Sequence, residues 1–298
     1  MSMPRPPGPV RYVSRCLLIL LAISFATYLI IHLTYTVDDQ IHGYDKDVSD
    51  RPSKYAIVCM TNRATSYDDI PIQNKIYYAR THGYDLLWDF DYTTPYPKVW
   101  DKIYNTRHAA LSKKYSWIWA LDLDALITNT TIRLEDIVAN SLRYGEDQDS
   151  KKPSSVQIII TKDHEPINLG SVIFRSSPWI IDFISKWSSR YGTICPQNDA
   201  EPLCNEQEIL RDMLAINAEG VRDHTVIVPQ RWMNSYAEEL NQYLDPKDGG
   251  RVWEKGDFVI HFAGASWWLK EEEDPVGMLM RKYHEMVVYP EIPGKEEE

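Results

Sequence analysis

The chain of 298 residues is short of positive charge, of cysteine and of repetition. Thirty-two Lys and Arg stand against 43 Asp and Glu, a formal net charge of −11. That deficit argues against nucleic acid as a partner, because phosphate backbones are gripped by clustered cations. Only four cysteines are present, and Cys195 and Cys204 have no further Cys or His nearby, which excludes a zinc site there. No internal repeat or low-complexity tract is found, so a solenoid or array is excluded. The acidic runs Glu271-Glu272-Glu273-Asp274 and Lys295-Glu296-Glu297-Glu298 read as solvated surface.

Charge of either sign is missing from residues 17–35, an apolar stretch of bilayer-spanning length, roughly 20 residues at about 1.5 Å each. Arg5, Arg11 and Arg15 precede it and Asp38-Asp39 follow, so the N-terminus is expected in the cytosol. A cleaved signal peptide is the competing reading, but Ile31-His32-Leu33-Thr34-Tyr35 lacks a small-x-small cleavage pattern. The expected organisation is a cytosolic tail at 1–15, a transmembrane signal anchor at 16–35, a stem at 36–53 and a luminal domain at 54–298. Cys16 sits at the membrane edge, Cys59 reads as a buried free thiol, and Cys195 and Cys204 are expected to be bridged in an oxidising lumen. Asn129-Thr130-Thr131 is the one glycosylation sequon.

Within the luminal part, apolar runs and turn residues predict a strand over 55–60, a helix over 70–81, a strand over 84–88, a helix over 99–114 and the strand Trp117-Ile118-Trp119-Ala120-Leu121. This βαβαβ order implies an α/β fold whose mostly parallel sheet is covered by helices on both faces, with ligands bound beyond the carboxyl ends of the strands. Further strands are expected over 156–161, 172–174 and 258–260, and helices over 178–189 and 206–216.

At the carboxyl end of the third strand stands Asp122-Leu123-Asp124. Side chains two apart on an extended strand share a face, so both carboxylates can meet one hard cation, and a cation held so can grip a diphosphate. The bland alternative is a pair of aspartates capping a turn. His261, placed just after the last strand, has two readings: a structural histidine, or a third ligand through a neutral ring nitrogen. Mixed carboxylate and imidazole ligation suits Mn²⁺ better than Mg²⁺. Asn168-Leu169-Gly170-Ser171 reads as a loop between two strands, where Gly either permits close approach of a ligand or makes an ordinary turn. Asp163 and His164 upstream either bind sugar hydroxyls or cap the strand end. Glu206-Gln207 opens a helix, and Asn62, Arg63, Lys102 and Arg107 are candidate contacts to a donor.

Taken in order, these segments resemble the fungal galactosyl/mannosyltransferase family, glycosyltransferase family 34, which also holds the plant xyloglucan xylosyltransferases. The resemblance runs from about Tyr55 to Ala265. It is carried by Asn74-Lys75 through Ala79-Arg80-Thr81-His82-Gly83-Tyr84, Trp100-Asp101-Lys102-Ile103, Trp119 to Ile127, Asn168-Leu169-Gly170-Ser171 with Arg175 to Trp179, Glu206-Gln207, and His261-Phe262-Ala263-Gly264. It implies a GT-A fold, a Golgi type II membrane enzyme, Mn²⁺, and transfer of a hexose from UDP-galactose or GDP-mannose to a glycan acceptor with retention of configuration. By the same resemblance Asp122, Asp124 and His261 hold metal and diphosphate, while Asn168, Glu206 and Gln207 lie near the reacting sugar. Two departures stand out. Ala265-Ser266-Trp267-Trp268 replaces the Cys or Lys that often follows the His-Phe-x-Gly turn, making Lys270 the substitute phosphate contact. Asn205 replaces a further acid, so the catalytic acid is Glu206. The rival readings are a non-catalytic subunit of a Golgi mannosyltransferase complex and a haloacid-type phosphatase, whose small-Thr pattern is not met by Ala125-Leu126.

Overall fold

The computed structural model describes residues 54–61, 64–89, 98–194, 205–244 and 251–290. The expected anchor and stem, Cys16, Asn62, Arg63, Cys195 and Cys204 lie outside the described residues. Among the described residues no helix is long and apolar enough to cross a membrane.

The chain opens with β1 (Tyr55–Met60), α1 (Asp69–His82), β2 (Asp85–Asp89), a single 3-10 turn at Lys98–Trp100, α2 (Asp101–Leu111) and β3 (Trp117–Leu121). Then come β4 (Ala125–Ile127), α3 (Leu134–Asp149), β5 (Ile158–Thr161), β6 (Asn168–Arg175), α4 (Pro178–Ile194) and α5 (Glu206–Ala215). The last part holds β7 (Thr225–Val228), β8 (Ser235–Tyr236), β9 (Val259–His261), α6 (Ala265–Trp268) and α7 (Pro275–His284).

Six strands form one sheet in the order β2-β1-β3-β6-β5-β7. β6 pairs antiparallel with both β3 and β5, while the β1–β2, β1–β3 and β5–β7 pairs are parallel. The sheet is therefore mixed, with β6 alone reversed, and the carboxyl ends of β1, β3, β5 and β7 share one edge. Strand alternation sorts the core. Ala56, Val58, Ile118 and Ala120 face α2, α4 and α5 through Ile103, Phe183, Trp187 and Leu210. Ile57, Trp117, Trp119 and Leu121 face the other way, onto Tyr78 and Ala79 of α1 and Ile137 and Val138 of α3. Both faces are covered, which is why these strands read as continuous apolar runs.

A second, three-stranded sheet has the order β4-β9-β8. Ala125 pairs with His261 across the antiparallel β4–β9 ladder, so the small sheet carries the end of the chain back to the turn that leaves β3. Two expectations change here. Asn168 to Ser171 are the first half of β6, not a loop. His261 is the last residue of its strand instead of following it.

Candidate active site

The turn after β3 is locked from three sides. The Asp122 N–H donates to Gly170 O at 2.8 Å, and Phe262 N–H donates to Asp124 O at 3.0 Å. From below, α1 supplies two buried side chains. Asn74 clamps Ile127 with its amide, accepting from the backbone N–H and donating to the carbonyl, both at 2.9 Å. Lys75, fully buried, donates to Ala125 O at 2.6 Å. Burial lowers the Lys75 pKa, with the Cys59, Asp124 and Asp122 sites acting the other way. These contacts satisfy carbonyls that a tight turn would otherwise leave buried and unpaired.

The result is one cluster. Asp122, Asp124 and His261 each offer a ligand atom, and these atoms lie within 4.8 Å of one another. His261 Nε2 stands 3.3 Å from Asp124 Oδ1. His261 is 2 % exposed, whereas the two carboxylates are about a third exposed. Burial disfavours the charge on Asp124, but the imidazole beside it and the Lys102 ammonium outweigh burial and hold its carboxyl below the usual range.

A chain of amides sets the histidine tautomer. Gly170 N–H donates to Asn168 Oδ1 at 2.9 Å, which fixes the orientation of that amide. Asn168 Nδ2 then donates to Asp163 Oδ2 at 3.0 Å and to the Tyr236 hydroxyl at 2.8 Å. Tyr236 in turn donates to Asp163 Oδ2 at 2.8 Å. Asn234 Nδ2 donates to Asn168 Oδ1 at 2.8 Å and to Thr161 Oγ1 at 2.9 Å, leaving Asn234 Oδ1 facing His261 Nδ1 at 2.9 Å. A carbonyl oxygen only accepts, so Nδ1 carries a proton and Nε2 is the ring nitrogen turned toward the carboxylates. An outer partner of this kind orients metal-ligating histidines generally. Two carboxylates and an imidazole nitrogen make a donor set that fits a divalent ion such as Mn²⁺.

Gly170 serves the same ring by what it lacks. A Cβ there would lie 2.0 Å from His261 Cε1, 2.6 Å from Nδ1 and 2.7 Å from Nε2. Glycine inside a strand marks a close approach, here by the imidazole.

Lys102 of α2 joins that cluster to Glu206. Its ammonium donates to Asp122 Oδ1 at 2.8 Å and to Leu169 O at 3.1 Å, and stands 3.3 Å from Glu206 Oε1. Burial works against this cation, yet Asp122 and Glu206 outweigh it and raise its pKa above the ordinary lysine value. Burial raises the Glu206 carboxyl, with Lys102 pulling the other way. Asn205 caps α5 in a reciprocal box with Glu208, and Gln207 Oε1 accepts from Leu169 N–H at 2.9 Å. Glu206 and Gln207 are thereby fixed against the strand that carries Asn168 and Gly170.

The other expected residues fall differently. Asp163 is buried under the cluster in the Asn168–Tyr236 network, and burial raises its pKa despite the bonds it accepts from Tyr236 and Asn168. Asn168 uses all four of its amide positions within the protein. Arg107 packs α2 onto α4, donating to Ile181 O at 3.1 Å and Ser185 Oγ at 2.9 Å. Lys270 is exposed, its ammonium 4.2 Å over the Trp267 ring. Asn234, Tyr236 and Thr161 escaped the sequence reading. Asn234 follows a turn and carries no periodicity to mark it.

The sequence profile of the galactosyl transferase GMA12/MNN10 family matches residues 53–270, a span that takes in every member of this cluster. The chain belongs to that family. Among its relatives is the probable alpha-1,2-galactosyltransferase gmh2 of Schizosaccharomyces pombe, 28% identical over 281 residues, covering 82% of this chain and 75% of that protein. Another is the probable alpha-1,6-mannosyltransferase MNN10 of Saccharomyces cerevisiae, 25% identical, covering 67% of this chain and 56% of that protein. A third is the probable xyloglucan 6-xylosyltransferase 3 of Arabidopsis thaliana, 23% identical, covering 78% of this chain and 58% of that protein. In fold, the chain is similar to a glycosyltransferase involved in the glycosylation of the major capsid of PBCV-1. The TM-score is 0.50 at 14% identity, over 78% of this chain and 99% of that one. As a member of the GMA12/MNN10 family, the chain is a glycosyltransferase, with a mixed α/β fold that resembles GT-A structures.

Proposed function

We propose that this glycosyltransferase is a Mn²⁺-dependent, retaining α-hexosyltransferase that moves galactose or mannose from UDP-galactose or GDP-mannose to a glycan acceptor, working at the Golgi membrane behind an N-terminal anchor. The observation that carries this reading is the cluster of Asp122, Asp124 and His261, with ligand atoms within 4.8 Å of one another at the carboxyl-end edge of the sheet. The names of the fungal relatives support galactose and mannose as donor sugars.

Asp122, Asp124 and His261 would hold the ion. When bound, it neutralises charge on the departing diphosphate as a Lewis acid. The remaining work falls to the chain's own groups. Asn234 keeps His261 Nε2 directed at the site. Lys102 holds Asp122 and Glu206 in fixed relation, so the diphosphate side and the sugar side of the site keep one spacing. Glu206 and Gln207, set on a capped helix start, stabilise positive charge on the sugar ring from the face opposite the leaving group. Asn168 acts through Asn234 on His261 and serves as a positioning residue.

The test is a panel of UDP-galactose, GDP-mannose and UDP-xylose offered to the full chain in detergent with Mn²⁺ and an oligomannose acceptor. Released nucleotide and a hexose mass gain on the acceptor, with the α configuration kept, are expected for one of the hexose donors. Nucleotide release from none of them would overturn the reading.

A further inference from the structure

A cavity of about 440 Å³ lies away from the metal cluster, along β7, which is the outermost strand of the large sheet. Its volume is within the usual range for small-ligand sites, about 300–1,000 Å³. Tyr144 and Gln148 of α3 border it on one side, Lys162 and Asp163 at the end of β5 and Gln230 after β7 on another. Gln230 is 6% exposed, and its amide nitrogen is buried with no hydrogen-bond partner among the described residues. An orphaned buried donor costs about 1–3 kcal/mol, and a turn of the amide toward the cavity would let a ligand hydroxyl satisfy it.

Two of the cations around the cavity are engaged. Lys151 pairs with Asp149 at 3.2 Å, and the Arg222 guanidinium is spent on the carbonyls that end α5, donating to Leu214 O at 2.8 Å. The lining also offers amide and aromatic surface, with the apolar side chain of Ile227 on β7. Tyr144 is braced edge-on by Trp232, ring centroids 5.4 Å apart. Paired donors and acceptors beside a fixed aromatic ring suit a neutral polyol better than an ion.

The position ties the cavity to the reaction. β3, β5 and β7 run the same way, so Asp122, Asp163 and Gln230 leave the sheet along one edge. Three hydrogen bonds lead from the cavity wall to the imidazole: Asp163 to Asn168 at 3.0 Å, Asn168 to Asn234 at 2.8 Å, Asn234 to His261 at 2.9 Å. We propose that this cavity is a carbohydrate subsite, holding a sugar of the acceptor glycan remote from the hydroxyl that reacts. The proposal rests on the transferase reading given above.

The experiment is calorimetric titration of the full chain in detergent with methyl α-mannoside, methyl α-galactoside, α-1,6-linked mannotriose and sodium sulfate. Gln230→Leu and Gln148→Ala are run beside the wild type. Gln230→Leu removes a donor that has no partner among the described residues, and Gln148 is an exposed helix residue, so both variants should fold; thermal unfolding checks this. Saturable binding of at least one saccharide, weakened about tenfold by either substitution, is expected. Mn²⁺–nucleotide binding and acceptor-free donor hydrolysis should be unchanged. No saccharide binding, wild-type affinity in both variants, or binding of sulfate alone would overturn the subsite. Donor hydrolysis in the same samples separates the two claims: its absence counts against the transferase reading, and its presence without saccharide binding counts against the cavity alone.

Discussion

Gly170→Ala puts the geometry of the site to a quantitative test. Nothing in the backbone bars the change, since Gly170 is not among the residues with positive φ. The obstacle is the imidazole, with the new Cβ only 2.0 Å from His261 Cε1. Carbon atoms pack best at about 3.5–4.0 Å, so the ring has to retreat by roughly 1.5 Å. A shift of that size breaks the 2.9 Å bond from Nδ1 to Asn234. It also carries Nε2 well beyond the ±0.2 Å or so that metal–ligand distances tolerate. Overpacking of this kind costs about 1–3 kcal/mol, and loss of an oriented ligand weakens metal binding by about 10–100-fold. The assay is a double-mutant cycle read by urea unfolding and Mn²⁺ titration. Gly170→Ala should be costly in the wild type and nearly free, within about 0.5 kcal/mol, in a His261→Ala background, because the clash partner is gone. Equal cost in both backgrounds, or wild-type Mn²⁺ affinity in Gly170→Ala, would refute the reasoning.

Three further outcomes follow from the same contacts. Asn234→Leu leaves His261 Nδ1–H, Asn168 and Thr161 each short of a partner, and should cost about 1–3 kcal/mol of stability along with the same loss of Mn²⁺ affinity, measured by unfolding and titration. Glu206 has its carboxyl raised by burial against the pull of Lys102, so the folded state binds its proton more tightly than the unfolded chain does. That stability is complete below the ordinary glutamate value and is lost as pH rises through the folded pKa; Glu206→Gln should flatten the fall in unfolding free energy from about pH 4.5 upward, and an unchanged slope would exclude it. Cys59, fully buried, has its thiol pushed up to about 11 by burial; iodoacetamide at pH 8 should label it only after denaturation, as mass spectrometry of the Cys59 peptide would report.

The sequence disclosed the side chains that cluster better than it disclosed their support. The strand before Asp122 is buried on both faces, and an unbroken apolar run of that length stands out. The paired carboxylates at its end, His261 near a late apolar strand, and Glu206 at a helix start were all readable. The first half of β6 was not, because Gly170 looked like a turn when its real neighbour is a ring from a distant strand. β4 and β8 have three and two residues, too few to show alternation, and they exist only because β9 lies between them. Asn234 stands just before β8 and Tyr236 ends it, so neither left a local mark. Lys102 appeared as a candidate contact to the donor, and the folded chain buries it between Asp122 and Glu206. Long-range pairing decides such cases, and a one-dimensional pattern carries none of it.

The central claim is that Asp122, Asp124 and His261 hold one divalent ion. Calorimetric titration of Mn²⁺ into the full chain in detergent, with UDP or GDP present, tests it most directly, run for the wild type and for Asp124→Asn. The account predicts one saturable Mn²⁺ site in the wild type that is lost in the variant while thermal unfolding stays cooperative. No uptake by the wild type with either nucleotide, or the same uptake by Asp124→Asn, would contradict it.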